Sequence, residues 1–181
     1  MSEYYLMFSA AIDQNSSNNF LAYLVGLQIE RATKLTIGMS TQGGNVVCGI
    51  TMYNHMLSMP FEIETHNVGN VDSIANVIFL GGKTRYANPT ATFMFHGVGF
   101  DGNANERLEE KNLLEKLDVV DAENKRISKV ISDRSTLNVD ECLGLFKEQK
   151  TRDADWAKKN GIIKDIKPFM IPAGANLRHL L

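Results

Sequence analysis

Blocks of apolar and polar residues change period along this chain, and the changes mark its elements. Tyr4 to Ala11 is an apolar run of strand length and predicts a buried first strand. The polar stretch Asp13 to Asn19 reads as a loop that also supplies a helix cap. Phe20, Leu24 and Leu27, continued by Ala32, follow at helical spacing. Leu35 to Ser40 reads as a second strand, Thr41 to Asn45 as a turn, and Val46 to Leu57 as a helix with Ile50, Tyr53, Met56 and Leu57 on one side. Pro60 marks its exit, and Phe61 to Val68 gives a third strand. Strand and helix alternate, as in an α/β protein.

The stretch from Thr65 to Val98 carries the candidate chemistry. Its first apolar run ends at Gly69, and Ser73 opens a segment, Ile74 to Leu80, apolar enough for a core helix that stops at Gly81-Gly82. A serine at a helix N-terminus lies beside unpaired N–H groups and the positive end of the helix dipole. Lys83 to Pro89 has the look of a loop, and Thr92 to Phe95 is a short strand-like run that delivers His96. Spacing alone also allows ordinary roles, Ser73 as an N-cap and His96 as a structural hydrogen-bonding group. Upstream, the pair Gly43-Gly44 lets backbone N–H groups approach a ligand with no Cβ in the way, as an oxyanion site requires.

Beyond His96 the composition changes. Gly97 to Asn103 is a glycine-rich loop, and from about Asn105 to Ser132 the chain is charged and glycine-free. Leu113, Leu117, Val120, Ile127 and Ile131 mark a seam there, with Asn124 in the gap. A helix over about 105–132 would be ~42 Å long, so part of it should project. It reads either as an amphipathic surface helix or as a partner-binding helix in which Asn124 sets register. A further helix spans Val139 to Phe146, and Trp156 and Ala157 lie in the last one, before a strand from Ile162 to Ile166. The tail from Pro168, ending in Leu177, Leu180 and Leu181, is either a docking strip or a disordered end.

Composition narrows the function classes. With 181 residues and 44% hydrophobic content, the chain is expected to form one domain over 1–181. Its net charge of -2, without a basic block, points to no nucleic acid and no anionic membrane surface. No apolar run has the length of a membrane span, and the start, Met1 to Tyr5, lacks the layout of a signal peptide. Cys48 and Cys142 have no metal-ligand spacing and sit in apolar surroundings, which suits reduced core cysteines and a cytoplasmic protein. No metal or cofactor is called for.

Five motifs in order resemble the ClpP family, the proteolytic subunit of the Clp protease. Ser40-Thr41-Gln42-Gly43-Gly44 is similar to its Ser-Pro-Gly-Gly turn, shifted where the proline would stand, and Gly69 to Ser73 matches its Gly-x-x-x-Ser nucleophile motif. Arg85-Tyr86-Ala87-Asn88-Pro89-Thr90, Met94-Phe95-His96 and the stretch from Ala154 to Lys164 resemble three later signatures. The resemblance implies a ClpP/crotonase-like spiral of β-β-α units with the long helix as a projecting handle. It implies Ser73 as nucleophile, His96 as general base, and the N–H groups of Gly44 and Ile74 as the oxyanion hole. It also implies a homo-oligomeric ring, two rings stacked through the handle, and a peptide or unfolded-protein substrate. An AAA+ unfoldase follows by analogy alone.

The resemblance breaks at the third triad position, where the family's aspartate falls on Gln149. Glu148 stands one residue before it, and Asp153 lies on the far side. Asp72 precedes the serine where the family has alanine, Ala75 replaces a glycine, and Gly97-Val98 stands for Gln-Pro. The family's N-terminal axial loops and first helix have no counterpart in Met1 to Tyr5. Three readings stay open: an active ClpP-like serine endopeptidase, a catalytically silent ClpP-like subunit of a mixed ring, and a crotonase-type acyl-CoA enzyme.

Overall fold

In the computed structural model, residues 2–100 and 109–180 are described. β1 (Glu3–Phe8), α1 (Gln14–Ile29), β2 (Lys34–Thr41), α2 (Val46–Ser58) and β3 (Glu62–Asp72) alternate as the sequence pattern predicts. Each helix carries the chain back, so β1, β2 and β3 lie side by side in parallel. Caps fix the helix starts. Asp13 forms a capping box with Ser16 ahead of α1, and Asn45 Oδ1 accepts from Cys48 N at 3.0 Å ahead of α2.

β3 has two successive partners. Glu64 to Asn67 pair with β4 (Thr84–Ala87), and Asn70 to Asp72 pair with β5 (Thr92–Met94). The strand therefore runs on past Gly69, where its apolar run ends. A register irregularity between Met39 and Thr41 of β2 bends the pair there. Gly69 is needed at the bend, because a Cβ would lie 2.6 Å from Ser40 Oγ.

The remaining elements are α3 (Ala75–Leu80), α4 (Glu110–Asp133), α5 (Val139–Glu148), β6 (Thr151–Asp153), α6 (Ala154–Lys159), β7 (Asp165–Ile166) and β8 (Asn176–Leu180). They complete an eight-stranded sheet in the order β6-β5-β3-β2-β1-β8, with β4 joining β3 to β7 off that path. Among the described residues, only β6 on β5 is antiparallel. All six residues of α3 are buried, and Phe79 meets Phe93 of β5 edge-on at 5.3 Å, so this short helix is the centre of the core.

The structure corrects several sequence expectations. The stretch read as a loop from Lys83 contains β4, held because the Arg85 guanidinium donates to the carbonyls of Gly82, Arg134, Gly161 and Ile162. β1 stops at Phe8 rather than at Ala11, α1 starts at Gln14 inside the stretch read as a loop because Asp13 caps it there, β6 is an unforeseen strand, and β7 is a remnant of the strand expected from Ile162. The tail is neither a free strip nor disordered, because β8 pairs in parallel with β1. The long helix begins at Glu110, and its expected start at Asn105 lies outside the described residues, as do Asp101 to Asn103 of the glycine-rich loop.

The segment leading to β8 is tied across the sheet. Buried His66 of β3 donates through Nε2 to Asn88 Oδ1 and to Lys167 O, both at 3.0 Å, and Phe169 N donates to Asn88 Oδ1 at 2.8 Å. Burial holds the His66 pKa below its ordinary value. Phe169 packs over Gly38, where a Cβ would come within 3.0 Å of its ring. Among the described residues no helix is long and apolar enough to cross a membrane.

Candidate active site

Ser73 sits on the turn between β3 and α3 with φ 58, a left-handed conformation that costs a non-glycine residue roughly 1 kcal/mol or more. Its neighbours hold it there. Ser73 N donates to Met94 O at 2.9 Å, and the Asn76 side chain donates to both Ser73 O (3.1 Å) and Met94 O (2.8 Å). Asn76 is 2% exposed, so a buried amide clamps the serine turn to the last residue of β5. In the sequence Asn76 shows only as part of the core helix, and the signal for this role is a polar residue inside an apolar run.

The glycine turn lies against the serine. A Cβ on Gly43, at φ 90, would be 2.8 Å from Ser73 Cβ, and one on Gly44, at φ 148, would overlap the Ile12 carbonyl. Ile12 N donates to Gly43 O and Asn45 N donates to Ile12 O, at 2.9 and 2.7 Å, which pins the turn from both sides. Thr41, where the motif is displaced, stiffens the entry by donating to Ala10 O at 2.7 Å and accepting from Gly43 N at 3.2 Å. Among the described residues, the N–H groups of Gly44 and Ile74 have no hydrogen-bond partner. They are two donors left available.

Gly44, Ser73, Ile74 and His96 line one cavity of about 290 Å³, together with apolar groups such as Val46, Val98 and Ile131. The structure thus brings together the four residues expected from the sequence. His96 Nδ1 lies 2.8 Å from Gly97 O. A carbonyl oxygen only accepts, so Nδ1 carries a proton, and in the neutral ring Nε2 is the nitrogen with the free lone pair. No hydrogen bond joins the Ser73 hydroxyl to the ring among the described residues.

The third-position candidates lie elsewhere. Gln149 is the exposed C-cap of α5 in a left-handed conformation at φ 52, and exposed Glu148 pairs with Arg152. Neither lines the cavity. Asp72 does not face it either, because Asn70 Nδ2 donates to its carboxylate at 2.6 Å while Ser40 Oγ donates to Asn70 Oδ1 at 3.0 Å. The seam residue Asn124 of α4 turns up at the site, where its Oδ1 accepts from Val98 N at 2.8 Å. No group of three or more His, Cys, Asp or Glu fit to hold a metal occurs among the described residues.

The family model described as Clp protease matches residues 1–168. The chain belongs to the Clp protease family. A curated relative, the ATP-dependent Clp protease proteolytic subunit of Chlorella vulgaris, is 25% identical over 166 residues, covering 89% of this chain and 80% of that one. A solved structure of ClpP1 from Listeria monocytogenes, a point mutant, superposes with a TM-score of 0.76 at 18% identity, covering 91% of this chain and 90% of that one. The fold is therefore that of ClpP. Within this Clp protease family member, β8 lies beyond the matched residues.

Proposed function

We propose that this chain is a serine endopeptidase that cleaves peptide bonds through an acyl-enzyme on Ser73. One observation carries the reading: Ser73, the Nδ1-protonated ring of His96 and the unpartnered N–H groups of Gly44 and Ile74 share one cavity. Ser73 Oγ attacks the scissile carbonyl carbon as its proton passes to His96 Nε2. The resulting oxyanion accepts from the Gly44 and Ile74 N–H groups, each such donor typically contributing ~3 kcal/mol. The C–N bond then breaks, His96 returns the proton to the leaving amine, and water attacks the acyl carbon with His96 again as base. The C–Oγ bond then breaks as His96 returns that proton to Ser73 Oγ, the acid product leaves, and free Ser73 is restored.

Without a carboxylate the imidazolium is less stabilised, but the Gly97 carbonyl keeps the required tautomer, the part whose loss is most damaging in other Ser-His sites. The substrate is a peptide or unfolded protein, the working form is a homo-oligomeric ring, and α4 is the element that meets a second ring. Partnership with an AAA+ unfoldase rests on analogy. Free, buried Cys48 and Cys142 suit a reducing, cytoplasmic setting. A second reading, a silent subunit of a mixed ring, is favoured by the distance of Gln149 and Glu148 from the cavity.

The test is labelling with a fluorophosphonate probe read by intact mass, on wild type, Ser73→Ala and His96→Ala. Stoichiometric addition lost in both variants supports the peptidase. A folded, oligomeric wild type that stays unlabelled, with and without a peptide activator, supports the silent subunit.

A further inference from the structure

The peptide unit between Gly97 and Val98 is bonded at both ends. Its carbonyl accepts from His96 Nδ1 and its N–H donates to Asn124 Oδ1, each at 2.8 Å. These are two ends of one delocalised group, so an acceptor on the N–H strengthens the oxygen as an acceptor. We propose that Asn124 is a positioning residue for His96, acting through this peptide unit in the place of a third triad side chain. The inference rests on the Ser73–His96 reading above.

The surroundings are arranged for this contact. Asn124 lies three residues before Ile127 and seven before Ile131, so it shares the helix face that those two bury at 6% and 0% exposure. Ile127 and Ile131 line the cavity themselves, which fixes the helix against the site. Gly97 permits the approach, since a Cβ there would be 3.3 Å from Asn124 Oδ1 and 3.6 Å from Phe146 Cβ. Val98 supplies the N–H, which the proline of the resembled motif would lack. The chain thus lacks the aspartate and gains the donor that this relay needs.

An amide carbonyl differs from a carboxylate in one respect that matters here. It fixes the tautomer and the ring orientation but brings no full negative charge. Other charged groups stand near. Asp121 and Lys125 of α4 and Lys147 of α5 line the groove behind Gly97 and Asn124, and Asp72 lies at the end of β3. None of them hydrogen-bonds the ring among the described residues.

The test is the pH profile of fluorophosphonate labelling in the assembled protein, for wild type, Asn124→Leu and Asn124→Asp, together with the imidazole ¹⁵N resonances of His96, assigned with His96→Gln. Asn124→Leu removes the acceptor at similar size. Its labelling should slow about tenfold, the rate equivalent of one hydrogen bond, and its ¹⁵N signals should become a tautomer mixture. Asn124→Asp keeps an acceptor and adds charge, so it should retain the Nδ1–H tautomer and move the acid limb of the profile to higher pH. A purely structural asparagine would lower the melting temperature or the labelled fraction without moving the limb or the tautomer. Unchanged limb and tautomer across all three proteins would overturn the proposal. Should Asn124→Leu fail to fold, an unmoved limb and tautomer in Asn124→Asp overturn it alone. A wild type that never labels sinks the peptidase reading instead, and the ¹⁵N spectra of Asn124→Asp against wild type still decide the role of Asn124.

Discussion

The two halves of α4 are built from different chemistry although one hydrogen-bond ladder runs through both. In the first half, Leu113, Leu114, Leu117 and Val119 are 42%, 59%, 56% and 55% exposed, and in the second, Ile127, Ser128 and Ile131 are buried. The second half ends on Arg134, which donates to Leu80 O and Gly82 O at 3.0 and 3.1 Å while Arg85 donates to its own carbonyl at 2.9 Å. Burial, with the charge of Arg134, pushes the Arg85 pKa down to about 10, so the group remains a cation at neutral pH. Carbonyls satisfy both guanidiniums. A helical segment of about a dozen residues is marginal in water by itself, so the exposed half is held straight by the anchored half. One helix thus packs against a site and presents a surface, because the two tasks occupy different turns.

Breaking the anchored half should have the largest effect. Ile131→Ala leaves a cavity beside the site and should cost about 2–5 kcal/mol in urea unfolding, with loss of probe labelling. Arg134→Met comes next, because it strips donors from two α3-end carbonyls. A loss of roughly 1–3 kcal/mol and a lower melting temperature are expected, with Arg134→Lys recovering only part. In the exposed half, Leu114→Lys with Leu117→Lys should change the stability of the isolated subunit by no more than about 0.5 kcal/mol. The same pair should reduce the assembled mass seen in sedimentation. If it instead unfolds the subunit as Ile131→Ala does, the division of the helix is wrong. Smallest of all, Lys129→Ala removes an exposed pair with Asp133 and should shift stability by at most ~0.5 kcal/mol, less in high salt.

Much of the fold was legible because its elements are local. The apolar runs at Leu35 and Phe61 and the stop at Gly81-Gly82 each act over a few residues, and all appear where the pattern puts them. Ser73, His96, Gly44 and Ile74 were legible from motif order, and the structure gathers them around one cavity. What escaped depends on distant partners. β4 was hidden because its stability comes from Arg85 reaching carbonyls at Arg134, Gly161 and Ile162. Asn124 looked like a seam residue because nothing in its own neighbourhood announces Val98 as its partner. The left-handed backbone of Ser73 is likewise imposed by Met94 and Asn76, not by serine itself.

The pairing of β8 with β1 bears on the order in which this chain can fold. Tyr4 lies opposite Asn176 and Phe8 opposite Leu180, among the greatest sequence separations the sheet contains. A ribosome makes β1 before every residue that separates it from β8, so the open side of β1 waits through all of that synthesis before its neighbour exists. During that interval the first strand is an unpaired edge, and whatever shields it then acts on a nascent protein that the finished fold no longer displays.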